Sequence, residues 1–89
     1  MKSIIDKNRY NRKGLKVGYW EEYWPDGELW HKGSYVNGKQ EGLWEYYYTN
    51  GILFYRVSFK EGKEDGLWEW YWVDGELVHT KTYKEGEEI

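Results

Sequence analysis

The sequence predicts an all-β fold: a single elongated, twisted antiparallel sheet, a meander of stacked β-hairpins. Three observations predict it. Glycines recur every 24 residues, as Gly18, Gly42 and Gly66, as Gly27, Gly51 and Gly75, and as Gly14, Gly38, Gly62 and Gly86. Large side chains follow the same lattice: Trp20, Trp44 and Trp68; Tyr23, Tyr47 and Tyr71; Leu29, Leu53 and Leu77; Tyr35, Phe59 and Tyr83. Seven Trp and ten Tyr in 89 residues favour strands, and a fixed period of this length means stacked units that share one core.

Each unit divides into two strands. The first is typified by Leu43-Trp44-Glu45-Tyr46-Tyr47-Tyr48 and the second by Ile52-Leu53-Phe54-Tyr55-Arg56-Val57-Ser58-Phe59. Between them stand Pro25-Asp26-Gly27, Thr49-Asn50-Gly51 and Val73-Asp74-Gly75. Asn-Gly or Asp-Gly between aromatic runs is a hairpin signal. Pro25 suits position i+1 of a type I turn with Gly27 following in the left-handed region, so the loops are expected to have three residues. Longer polar links, Asn37 to Gly42 and Glu61 to Gly66, are expected to join successive hairpins. No segment has a helical period. The chain therefore reads as three repeats, 17–40, 41–64 and 65–89. They are preceded by a basic arm at 1–16, in which residues 3–10 take the place of a second strand, with Ile5 in the Leu29 column. Such a degenerate half-repeat would cap the N-terminal edge.

With three-residue loops, residue 24 pairs with 28 and residue 22 with 30. Alternation of side chains then puts Tyr23, Leu29, His31 and Tyr35, with their equivalents in the other repeats, on one face. The other face receives Trp20, Glu22, Trp24, Glu28 and Trp30; then Trp44, Tyr46, Tyr48, Ile52 and Phe54; then Trp68, Trp70, Trp72, Glu76 and Val78. A shift of one residue would exchange the second-strand sets between faces. The first face is nearly constant from repeat to repeat, as stacking requires. The second varies and is free to suit a partner. Its aromatic residues Trp24, Trp30, Trp44, Tyr46, Tyr48, Phe54, Trp68, Trp70 and Trp72 are the candidate partner-binding residues, because Trp and Tyr serve as interface anchors and a large exposed apolar patch marks an interaction site. Homodimerisation through this face would also hide it.

Charge narrows the partners. Residues 1–16 carry six basic residues against Asp6, whereas residues 17–89 carry seven basic against fifteen acidic. So acidic a body is a poor general nucleic-acid binder, and it disfavours a membrane partner. The absence of cysteine excludes disulfides and thiolate metal sites and suits a reducing cytoplasm. Residues 1–7 form neither a signal peptide nor a membrane span, so a cytoplasmic protein is expected. Catalytic chemistry is not found. His31 and His79 share a column two repeats apart, about 19 Å at about 4.8 Å per strand, and cannot share a metal or a proton. Glu21, Glu45 and Glu69 form a ladder with about 10 Å between neighbours, which reads as cross-strand pairing with Lys32, Arg56 or His31. No metal, cofactor or catalytic residue is expected.

The run Gly42-Leu43-Trp44-Glu45-Tyr46-Tyr47-Tyr48-Thr49-Asn50-Gly51, followed by Phe59 and then Gly62-Lys63, resembles a MORN repeat, in the variant found in bacterial YwqK-family antitoxin-like proteins. The resemblance covers residues 17–86 and implies stacked hairpins with partners that vary among proteins and membranes. Together these features point to a small protein-binding module that blocks or sequesters a macromolecule, as antitoxins, immunity proteins and phage-type inhibitors do. The alternatives are a binder of nucleotides or glycans through its aromatic face, and a membrane-associated scaffold.

Overall fold

A computed structural model describes residues 7–89. Eight antiparallel strands follow one another in a single open sheet with no crossover: β1 (Arg9–Tyr10), β2 (Lys16–Tyr23), β3 (Leu29–Val36), β4 (Lys39–Tyr47), β5 (Leu53–Lys60), β6 (Lys63–Tyr71), β7 (Leu77–Lys84) and β8 (Glu87–Glu88). No helix is present among the described residues. The all-β expectation holds, and Asx chemistry shows why the hairpins form where they do. In each loop the Asp26, Asn50 or Asp74 carboxyl or amide oxygen accepts the N–H two residues on, at 2.9–3.0 Å, which pre-bends the backbone. Trp24 N–H then donates to Glu28 O at 2.8 Å across the three-residue loop, and Gly27 (φ 93°) closes it.

The links between hairpins are shorter than expected. Val36 pairs with Lys39, so Asn37 (φ 49°) and Gly38 (φ 84°) alone make a two-residue turn. The polar residues Lys39, Gln40 and Glu41, expected in a loop, begin β4 instead. Glu61-Gly62 and Glu85-Gly86 repeat this turn, with the glutamates at φ 52°.

The expected face assignment is overturned by a bulge in each hairpin. Tyr23 pairs with Leu29, but Glu22 pairs with His31, leaving Trp30 as an extra residue on β3. Phe54 and Val78 are the extra residues of the other two hairpins. One inserted residue reverses the side of everything beyond it. Trp20 therefore stands opposite Gly33, on the same face as His31 and Tyr35 rather than behind them. Two of the three constant ring columns, those of Trp20 and Tyr35, share one face, where they alternate edge-to-face: Trp20–Tyr35 at 6.0 Å, Tyr35–Trp44 at 5.0 Å and Trp44–Phe59 at 6.4 Å between centroids. The core, Trp20, Trp44 and Val57, is the floor of this face.

The opposite face carries a charge ladder. Glu21, Lys32, Glu45, Arg56 and Glu69 are direct neighbours on five successive strands. Lys32 Nζ lies 3.6 Å from Glu45, and Arg56 Nε donates to Glu69 Oε1 at 2.6 Å. Pairing of the glutamates with Lys32 and Arg56 is as expected; His31 lies on the ring face and takes no part.

The described residues ahead of β2 cover the N-terminal edge. Among the described residues, Arg9 and Tyr10 pair with β2. Tyr10 meets Trp20 at 5.2 Å, and the Trp20 indole N–H donates to Arg9 O. Ahead of them, the Asn8 side-chain amide stands in for backbone. Its Nδ2 donates to Glu21 O and its Oδ1 accepts Glu21 N–H, at 2.9 and 2.8 Å. Ile5 lies outside the described residues.

Candidate functional site

The bulges shape the ring face into a site. A bulge re-aims the side chains beside it, and here Trp30 comes to lie over its neighbour His31, with ring centroids 4.7 Å apart. Trp24, which enters the loop, stacks on Trp30 at 4.9 Å and 29°. In the next repeat Tyr48 meets Phe54 at 4.5 Å, and Phe54 meets Tyr55 at 4.9 Å. Tyr46 and Tyr55, cross-strand partners, stack at 4.4 Å and 15°. Between these two sets of rings lies a hollow of about 330 Å³, with Trp24, Trp30 and His31 on one wall and Tyr46, Tyr48, Phe54 and Tyr55 on the other. The far side of the Tyr46–Tyr55 pair opens into a smaller hollow of about 160 Å³, reaching Phe59, Glu64 and Trp68.

Two residues that line the larger hollow each carry a buried side-chain nitrogen without a hydrogen-bond partner: Trp24 Nε1 and His31 Nδ1. Such atoms carry a desolvation cost. Burial lowers the His31 pKa, so its imidazole is neutral at pH 7. Burial also raises both tyrosines, Tyr55 to about 12. The hollow is thus uncharged at neutral pH: hydrophobic walls with a few fixed polar atoms, which suits recognition.

Of the nine residues expected to contact a partner, Trp24, Trp30, Tyr46, Tyr48 and Phe54 line the larger hollow. Trp68 lines the smaller one, and Trp70 stacks over Trp68 at 5°. Trp72 stands at the open end of β6, 58% exposed. Trp44 is a correction. At 1% exposure it is the most deeply buried ring of the chain, and it supports the face without presenting a surface. His31, Tyr55 and Phe59 belong to the site although the expected register placed them on the other face. A usable signal was the complementarity of Glu21, Glu45 and Glu69 with Lys32 and Arg56: pairing 21 with 32, rather than with 31, yields the observed register. Among the described residues no cluster of His, Asp or Glu could hold a metal, and no helix is long and apolar enough to cross a membrane.

Fold and site together define a β-hairpin repeat protein with one aromatic face and one charge-laddered face. The MORN repeat variant matches three times, at residues 16–37, 40–61 and 64–85, each match starting one residue before the repeat boundary read from the sequence. The chain belongs to this MORN repeat family. No curated protein and no solved structure matches it. MORN repeats are generally linked to protein or membrane binding.

Proposed function

We propose that this chain is a protein-binding module. It seats a segment of a macromolecular partner in the ring-lined hollow of its first two repeats and acts by occupying that partner, in the manner of an antitoxin, immunity protein or phage-type inhibitor. The observation that carries this reading is the hollow itself, lined by eight ring-bearing residues, among them Trp24, Trp30, His31, Tyr46 and Tyr55. Aromatic anchors are what an interface centre uses. The blocking role is suggested by the resemblance of the repeat sequence to that of YwqK-family antitoxin-like proteins.

The test is capture from the native host with the folded chain and with Trp30→Ala, each checked by circular dichroism. A protein retained by the parent and lost by the variant is the expected result; equal retention by both refutes the reading. The Trp24–Trp30 stack favours a second reading, a platform for a base or sugar. Titration of intrinsic Trp fluorescence with nucleotides and glycans separates the two, and a flat response leaves protein binding.

A further inference from the structure

We propose that the smaller hollow receives a lysine or arginine side chain of the partner segment, with Glu64 as its counter-charge. This rests on the docking reading above and specifies the chemistry of the segment. The hollow is walled by Tyr46, Tyr55, Phe59 and Trp68, and Glu64 is its one carboxylate. Glu64 is half-buried, and its carboxylate makes no ion pair or hydrogen bond among the described residues. An anion would be repelled there by both the carboxylate and the ring faces. A purely apolar group would leave the carboxylate desolvated and unpaired. A cation satisfies both.

The first repeat holds an ammonium at this lattice position, against the equivalents of Trp68 and Tyr83. Two repeats before Glu64, the same place is held by Lys16. Its Nζ lies 4.6 Å from the Trp20 ring centroid and 5.3 Å from that of Tyr35, with Glu22 at 3.9 Å. Gln40 holds the place in the second repeat, where its amide donates to the Tyr46 hydroxyl. The column thus runs from cation through neutral amide to carboxylate, so the third repeat puts a negative charge where the first has an ammonium; the Lys81 ammonium over the Trp68 ring is paired with Glu88 at 3.7 Å, not with Glu64. The acidic excess of residues 17–89 draws the same class of partner at longer range. Because the two hollows share Tyr46 and Tyr55, one extended segment can fill both, an apolar side chain in the larger and a basic one in the smaller.

The test is NMR titration of the full chain with hexa-arginine, and with uncharged hexa-citrulline, at low salt. Hexa-arginine is expected to shift the Trp68 indole and the Tyr55 and Phe59 rings saturably, and hexa-citrulline to bind far more weakly. Glu64→Gln should weaken hexa-arginine by about tenfold. Glu87→Gln, which removes the same charge from β8, should leave it unchanged. Equal weakening by both variants, or shifts confined to residues 85–88, overturns the proposal. Trp30→Ala keeps the two ideas separable: if it abolishes partner capture while Glu64 is irrelevant to hexa-arginine, the cation site falls and the docking face stands. If Trp30→Ala retains the partner, the docking face falls.

Discussion

The second and third repeats carry the same Trp in the same register, yet one is closed and the other open. Trp44 is 1% exposed, whereas in the third repeat Trp70 is 41% and Trp72 58% exposed and Trp68 is only half-buried. One variable column accounts for much of the difference. Position 33 is Gly, its equivalents are Val57 and Lys81, and these are the residues that stand beside the Trp column. A Cβ on Gly33 would come within 2.1 Å of the Trp44 ring, so glycine alone lets that indole lie flat on the strand. Trp68 is flanked by Val57 on one side and Lys81 on the other, and the lysine puts its ammonium 5.4 Å over the ring instead of packing it down. Identical scaffolds therefore yield a core at one end and a presented surface at the other.

Breaking the closed end should have the largest effect. Trp44→Ala is expected to cost about 3–5 kcal/mol, read from the urea midpoint. Gly33→Val, which installs the residue of the second repeat, should cost about 3 kcal/mol and release Trp44, visible as loss of near-ultraviolet dichroism. Smaller and opposite in sign is Glu61→Asn. Glu61 occupies the left-handed region at φ 52°, where Asn is more at ease, so about 0.5–1 kcal/mol of stabilisation is expected.

A pH-dependent effect sharpens the N-terminal end. The Glu21 carboxyl accepts hydrogen bonds from Lys7, Tyr23 and Tyr19, which hold its pKa at about 2 against an ordinary 4.5. A depressed carboxyl stabilises the fold above its unfolded pKa and loses that contribution as pH falls toward the folded value. Parent and Glu21→Gln should therefore differ in Tm at pH 6 and converge between pH 4.5 and 2. At the open end, Trp72→Ala should change stability by no more than about 0.5 kcal/mol.

Much of this was legible in the sequence. Period, strand pairs and three-residue loops follow from glycine spacing and Asn-Gly or Asp-Gly signals, because turn chemistry is local. The bulge at Trp30, Phe54 and Val78 was not, since an inserted non-glycine residue leaves no mark of its own, and it decided which residues share a face. The two-residue turns escaped notice because Glu61 and Glu85 occupy a left-handed position that Asn fills at Asn37. Gly33, the one glycine off the lattice, was the written sign of the closed end; its meaning depended on knowing that Trp44 lay across it.

The central claim is that one face holds every Trp, divided between a sealed core and a presented surface. A soluble nitroxide added to the folded chain, with relaxation measured at the seven tryptophan rings, tests it directly. Trp20 and Trp44 should be spared while Trp30, Trp70 and Trp72 relax strongly. Strong relaxation of the Trp44 ring, or uniform relaxation of all seven, would contradict it.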